Sequence, residues 1–142
     1  MLFRSKLAEY LQFRVNFLQE ELDELKHSDN ADDVVDALID LCVVAIGTLD
    51  AFDVNAYTAW DRVHKANMNK QVGVKESRPN PLGLPDLIKP EGWTAPSHED
   101  NGGLLDKVFE YLNDNHNEYY CYYVSTNTDS NFSEIKKELD SK

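Results

Sequence analysis

Apolar residues recur with helical spacing along the first part of the chain. Leucines stand at positions 7, 11, 18, 22 and 25, separated by threes, fours or their sums, which predicts one amphipathic helix from about Ser5 to Lys26. The polar run His27–Asn30 breaks this pattern, and Asn30 or Asp29 can cap a second helix. From Val34 to Leu49 the second helix is apolar on nearly every face. We therefore expect it to be a central, buried element.

A third helix is predicted from Ala56 to about Lys70, with Asp53 or Asn55 as its N-cap. Because short loops join these three helices, we expect them to pack antiparallel. All five prolines then fall in the stretch Ser77–Pro96. Such a stretch can form neither a helix nor a central strand, and it is typical of a lid, a binding loop or a linker.

The rest of the chain is less regular. Residues 104–112 have a helical pattern, residues 118–125 are aromatic and β-prone, and residues 130–142 are typical of a short terminal helix. Together the patterns predict an all-α fold in three parts. These are an antiparallel helical core at 1–76, a Pro-rich loop at 77–100 and a small C-terminal appended segment at 101–142.

The composition narrows the classes of partner. There are 26 acidic residues against 14 Lys and Arg, which gives a formal net charge of −12. This acidic excess argues against binding to nucleic acid polymers or anionic membranes. The two cysteines, Cys42 and Cys121, lack metal-binding or redox spacing, and no apolar run approaches the roughly 20 residues that cross a bilayer. We expect a cytoplasmic protein.

Four acids are predicted to converge where the first two helices meet. Glu21 and Glu24 project from adjoining turns of the first helix, and Asp36 and Asp40 stand four residues apart on the second. Antiparallel packing would bring the two pairs together at a cost in free energy, because burial and mutual repulsion both oppose ionisation. A cation removes that cost, and ligation by oxygen alone suits Mg²⁺ or Mn²⁺. The pattern therefore predicts a site for a hard divalent metal.

Two other interpretations of these residues stay open. The acids can simply face solvent or cap helices, although Asp40 lies in the most apolar helix of the chain and is hard to explain in that way. The spacings Glu24-x-x-His27 and Asp61-x-x-His64 are similar to the paired Glu-x-x-His motifs of di-iron helical bundles, with Asp in place of Glu in one of them.

Positive charge is concentrated in another part of the chain. Six of the fourteen basic residues lie between Arg62 and Lys89. Asn67 and Lys70 follow Trp60 with helical spacing, so their amide and ammonium groups are expected to lie along one face of the third helix. Such a face suits phosphate groups, whose oxygens Mg²⁺ and Lys can neutralise. Trp60 itself is expected to lie in the core.

Four blocks in order are similar to a known family. The segments EELDEL, DALIDLCVVAIGTLDAFDV, AWDRVHKANMNK and IKPEGWTAP resemble the all-α nucleotide pyrophosphohydrolases of the MazG, dimeric dUTPase and phosphoribosyl-ATP pyrophosphohydrolase-like superfamily, above all its small phage-type members. The resemblance covers about residues 10–97. It implies Mg²⁺-dependent hydrolysis of nucleoside triphosphates to monophosphate and pyrophosphate. It also implies a homodimer or homotetramer in which neighbouring subunits complete the helical bundle.

The resemblance implies roles for individual acids. The metal ligands it implies are Glu21, Glu24, Asp36 and Asp40. The Glu that the family carries on the second helix falls here on Ala37, and Asp36 beside it is the expected substitute, as in the phage-type members. Glu20, the leading acid of the family pattern, is expected to orient the attacking water toward the α-phosphate.

The resemblance also implies how the substrate is held. Asn67 and Lys70 match a block that lies against the substrate phosphates in such proteins. Arg14, two turns before Glu21, is a weaker candidate for phosphate binding. Trp93, in the Pro-rich loop, could cover the base.

A different class of function is also compatible with the charge. A small acidic phage protein can act without catalysis, by mimicking the charge of nucleic acid or by binding a host protein. This alternative predicts acids spread over the surface and no effect of Mg²⁺ on stability.

Overall fold

The computed structural model describes residues 2–115, which are mostly helical. The elements in this range are α1 (Leu2–His27), α2 (Ala31–Ala51), α3 (Ala56–Met68), β1 (Gln71–Gly73), β2 (Asp86–Ile88), one turn of 3-10 helix (Glu99–Asn101) and α4 (Leu105–Asp114). The prediction of an all-α fold is confirmed, because the two short strands form only a small ribbon. The β-prone run at 118–125 and the terminal helix at 130–142 lie outside the described residues.

The starts of α2 and α3 are each fixed by an asparagine. The side-chain oxygen of Asn30 accepts a hydrogen bond from the backbone N–H of Asp33 at 2.9 Å, and that of Asn55 accepts from Thr58 at 3.0 Å. Both predicted caps are confirmed. Each satisfies a backbone donor that the first helical turn leaves without a partner, which is worth about 1 kcal/mol.

One compact unit is formed by residues 2–53 together with the described residues from 102 onward. In it α1 packs against both α2 and α4. Arg14 of α1 bonds to Thr48 near the end of α2, whereas Glu21 of α1 is close to Asp36 near its start. The pairings therefore run in opposite directions, and α1 and α2 are antiparallel as predicted. Buried apolar side chains of this unit are Ala8, Leu11, Ala37, Val44, Phe52, Val108 and Leu112.

A glycine lets α4 approach the end of α2. Gly103 has a φ of 54°, and a Cβ at this position would overlap the carbonyl oxygen of Phe52. The next residue, Leu104, donates its backbone N–H to that same oxygen at 2.8 Å. Since only glycine combines this backbone conformation with such a close approach, the junction requires it.

The expectation that α2 is buried all round is wrong for the part of the chain that the structure describes. Only Ala37 and Val44 of this helix are buried. A stripe of large apolar side chains is exposed, and we call it the α2 stripe. It comprises Val35, Leu38, Ile39, Val43 and Ile46. The reason is that α1 covers one face of α2, while the stripe lies on other faces that the described residues leave open.

Residues 54–101 form a second compact unit. In its ribbon β1 pairs antiparallel with β2, with Val72 opposite Leu87. The strand β2 lies within the Pro-rich stretch but at the edge of a two-stranded sheet, where proline nearby is tolerated. Arg62 of α3 binds Asp100 through two hydrogen bonds of 2.7 and 2.8 Å. These bonds hold the pKa of Asp100 below its ordinary value and attach the end of the unit to α3.

Candidate active site

A buried carboxylate lies where α1 and α2 meet. Only 8% of the surface of Glu21 is exposed, and its Oε2 atom has no hydrogen-bond partner among the described residues. Burial raises the pKa of Glu21, and the negative charges of Glu24, Asp40, Glu20 and Asp36 raise it further. The structure thus brings all five predicted acids into one electrostatic neighbourhood, which we call the acid cluster.

The other members of the acid cluster are more accessible than Glu21. Asp40 is half-buried, and Glu20, Glu24 and Asp36 are exposed. The expectation that Asp36 lies inside is therefore wrong. Buried Ala37 shows which face of α2 packs against α1. Asp36 precedes it by one residue, and adjacent residues of an α-helix are rotated by about 100° around the helix axis. Asp36 consequently points along the edge of the helix pair.

The donor set of the acid cluster fits a hard cation. Its oxygens are all carboxylate oxygens, the type that Mg²⁺ and Mn²⁺ prefer, and the unpartnered Oε2 of Glu21 is buried at its centre. Among residues 2–115 no three Asp, Glu, His or Cys side chains already have the arrangement of a metal site. Binding a cation here would therefore require the exposed carboxylates to turn inward toward Glu21.

The imidazole of His27 lies at the exposed end of α1. Its Nδ1 is 2.7 Å from the backbone oxygen of Asp23, so this nitrogen is occupied by the last turn of the helix. Within the described residues His27 joins no metal-binding group of three. The structure therefore gives no support to the di-iron interpretation of Glu24 and His27.

Arg14 connects α1 to α2 inside the first unit. Its Nε donates to the Thr48 hydroxyl and its Nη2 to the Val44 backbone oxygen, both at 2.9 Å. Gly47 leaves room for this contact, since a Cβ there would lie 3.1 Å from Nη2. A role of Arg14 in phosphate binding remains a prediction. A phosphate would have to bind the guanidinium N–H groups that do not donate to Thr48 or Val44.

The candidates for phosphate binding belong to the second unit. The indole Nε1 of Trp93 donates to the backbone oxygen of Ala66 at 2.7 Å. The ammonium of Lys70 lies 5.3 Å from the centroid of the Trp93 ring. Asn67, in the last turn of α3, is exposed. Lys70 and Trp93 are thus in contact, as part of one group at the end of α3.

Two further residues of this unit have positions that the sequence did not predict. Trp60 was expected in the core, but 75% of its surface is exposed, because α3 turns Ala66 inward instead. Lys89 was only one of six bases in its region, yet its ammonium lies 4.9 Å from the Trp93 ring centroid. Its position four residues before Trp93, across a Pro-x-Gly turn, is the signal that could have identified it.

The fold and the acid cluster together define a class of protein, an all-α chain with a carboxylate-rich centre between two antiparallel helices. Residues 3–67 match the model of the PRA-PH family, phosphoribosyl-ATP pyrophosphohydrolase. The match covers less than half of the chain, and the family is part of the MazG-like all-α NTP pyrophosphohydrolase superfamily. The matched region contains the whole acid cluster.

The family consists of nucleotide pyrophosphohydrolases, which hydrolyse phosphoanhydride bonds in nucleotides. No curated protein and no solved structure gives a significant match to the chain. No described helix is long and apolar enough to cross a membrane.

Proposed function

We propose that the protein is a Mg²⁺-dependent nucleoside triphosphate pyrophosphohydrolase, which converts NTPs or dNTPs to monophosphates and pyrophosphate. The observation that supports this most is Glu21, a buried carboxylate with an unpartnered oxygen and four acidic neighbours. Such an arrangement is unfavourable for folding unless a cation or a proton neutralises it. A site with this property is suited to bind a divalent metal.

In this proposal Glu21, Glu24, Asp36 and Asp40 hold the metal. The chemistry that Mg²⁺, or Mn²⁺ in its place, supplies at such a site is neutralisation of phosphate oxygens and acidification of water. Glu21 must be ionised to act as a ligand, so its raised pKa links binding to pH.

Glu20 is the proposed general base. It is exposed and precedes Glu21 on α1, so its carboxylate can accept a proton from a water at the edge of the acid cluster. The water oxygen forms a bond to the α-phosphorus, and the bond from that phosphorus to the bridging oxygen breaks. Pyrophosphate leaves with the bridging oxygen and its electron pair.

Lys70 and Asn67 are proposed to bind substrate phosphates, and Trp93 to cover the base. The support is that an ammonium, an amide and an aromatic ring are gathered at the end of α3. The indole N–H of Trp93 is used by Ala66, so the ring can offer a ligand only its faces. Contacts through a ring face place few restrictions on base identity.

We also propose that the chain forms a homodimer or homotetramer. The α2 stripe supports this, because a contiguous row of large apolar side chains on one helix is typical of an interface. Val35, Ile39, Val43 and Ile46 of the stripe are spaced by threes and fours, as expected for packing against another helix. A second copy of α2 would supply a matching stripe.

Turnover of a nucleotide panel tests the proposed function. The protein is incubated with Mg²⁺ and each common NTP and dNTP, and products are separated by chromatography. We expect monophosphate and pyrophosphate in equal amounts, with activity reduced about 100-fold or more in Glu21→Gln, since loss of even an indirect metal partner costs 10- to 100-fold. The matched control is Glu9→Gln, the same change at an exposed position of α1. Formation of diphosphate and phosphate, or equal rates in both variants, would contradict the proposal.

A further inference from the structure

A tight turn brings Lys89 back toward Trp93. The backbone N–H of Trp93 donates to the Pro90 oxygen at 3.1 Å, and Gly92 between them has a φ of 78°. These features define a type II turn, whose third position favours glycine for that conformation. The chain therefore reverses between Lys89 and Trp93.

The Trp93 ring is held in place by α3. Its indole N–H donates to the carbonyl of Ala66, one of the last four carbonyls of α3, which have no partner within the helix. The bond satisfies this carbonyl and attaches the ring to the end of α3. We call the ring in this position the Trp93 platform.

Two ammonium groups gather on this platform. The Nζ atoms of Lys70 and Lys89 lie 5.3 and 4.9 Å from the ring centroid, within the range of cation–π attraction. Their mutual repulsion opposes this arrangement. An anion that contacts both ammoniums would reduce this repulsion.

Neither ammonium lies in an ion pair with an acidic side chain of residues 2–115, although the charge of Lys70 contributes to lowering the pKa of Asp86. Three other bases of the unit have acidic partners, in the pairs Arg62–Asp100, Lys65–Asp61 and Arg78–Asp86. Within residues 2–115 Lys70 and Lys89 form no such ion pair. In a chain with a net charge of −12, two cations on one ring that lack a salt-bridge partner among residues 2–115 indicate a site that favours an anionic ligand.

We propose that Lys89 is a phosphate-binding residue that acts with Lys70 on the Trp93 platform, and that the ligand is a polyphosphate chain. Two ammoniums on one ring can contact oxygens of successive phosphate groups, whereas a single phosphate would engage only part of the site. That this chain belongs to the substrate nucleotide rests on the proposed function. The anion site itself does not depend on it.

Binding of inorganic tripolyphosphate tests the proposal without any need for turnover. Isothermal titration calorimetry at physiological ionic strength is carried out without Mg²⁺ on the parent protein, Lys89→Met, Lys89→Arg and Lys65→Met. A charge-assisted hydrogen bond to phosphate is lost in Lys89→Met, so we expect about tenfold weaker binding or more. Lys89→Arg keeps the charge and should bind within about threefold of the parent. Lys65→Met removes an exposed cation of the same unit, and a change of less than about twofold is expected.

Trp93 emission reports where the anion binds. The chain has two tryptophans, so a Trp60→Phe background leaves Trp93 as the only one. We expect tripolyphosphate to change its emission with the same affinity that calorimetry gives. No measurable binding to the parent, unchanged affinity in Lys89→Met, or an equal loss in Lys65→Met would overturn the assignment.

The outcomes separate this proposal from the proposed function. Weakened tripolyphosphate binding in Lys89→Met, in a protein that hydrolyses no nucleotide, would support the anion site and refute the function. Nucleotide hydrolysis with unchanged binding in Lys89→Met would support the function and refute the role of Lys89.

Discussion

At the scale of single residues, the carboxylate of Glu21 lowers the stability of the fold and is also the central ligand of the proposed metal site. A buried carboxylate with an unpartnered oxygen lowers the stability of the folded chain. Its four acidic neighbours add repulsion. A residue in such a position is explained more readily by a ligand that binds the cluster than by packing.

Glu21→Gln should therefore stabilise the protein in the absence of metal. The pKa of Glu21 is raised in the folded state, so between its ordinary and its raised value the folded chain binds a proton that the unfolded chain lacks. The contribution of Glu21 to the free energy of unfolding therefore falls as the pH rises from the ordinary pKa to the raised pKa. We expect the variant to unfold at higher urea concentration than the parent at pH 7 with a chelator present, and the difference to shrink as the pH is lowered toward the ordinary pKa of a glutamate.

Glu9→Gln is the control for that comparison, because Glu9 is exposed and, within residues 2–115, is paired with Lys6 alone. It should change the urea midpoint little at either pH. A midpoint for Glu21→Gln at or below that of the parent at pH 7 would show that the Glu21 carboxylate is not destabilising.

At the scale of elements, the helix ends could be predicted from single residues, whereas the burial of a helix could not. Asn30 and Asn55 cap α2 and α3 through local hydrogen bonds, which depend only on nearby sequence. The burial of α2 depends on what covers each face. Periodicity shows that a face is apolar but does not show its partner, which is why the α2 stripe was expected to be inside.

The junction of α2 with α4 gives a testable case at this scale. Gly103→Ala should destabilise the protein strongly, because the added Cβ would overlap the Phe52 oxygen and disturb its bond to Leu104. Gly83→Ala is the matched control. Gly83 also has a positive φ of 67°, but no atom lies within 4 Å of its added Cβ.

Urea unfolding monitored by circular dichroism measures both glycine variants. Gly83→Ala should lower the free energy of unfolding by about 1 kcal/mol, through conformational strain alone. Gly103→Ala should lower it by at least about 1 kcal/mol more, because the added side chain also overpacks the junction. Equal losses would mean that the α2–α4 junction relaxes to accept a side chain.

At the scale of the whole molecule, the sequence predicted the acid cluster but not the order of burial within it. The spacing of acids on two antiparallel helices was enough to bring them together. Glu21 rather than Asp40 is the most buried of the five acids, and this order depends on how α1 and α2 pack together, which the spacing of acids along each helix does not determine. The contact of Lys89 with Trp93 was likewise missed, since it depends on a turn and on the docking of the indole.

Assembly of the chain is predicted from the α2 stripe. Val43→Glu places a charge in the middle of this stripe, and we expect it to dissociate the dimer or tetramer because a buried unpaired charge is unfavourable. Val72→Glu is the control, the same substitution at an exposed position of β1. Analytical ultracentrifugation measures the masses, and a monomeric parent or an unchanged mass in Val43→Glu would contradict the proposed interface.

The central claim is that the acid cluster binds a divalent cation through Glu21. Its most direct test is the melting temperature of the parent, Glu21→Gln and Glu9→Gln during a Mg²⁺ titration. A ligand that binds only the folded state adds about 2.7 kcal/mol of stability at a hundred times its Kd. We predict that the melting temperatures of the parent and Glu9→Gln rise with Mg²⁺ while that of Glu21→Gln stays nearly constant. An equal response of all three proteins, or no response of the parent, would contradict the account.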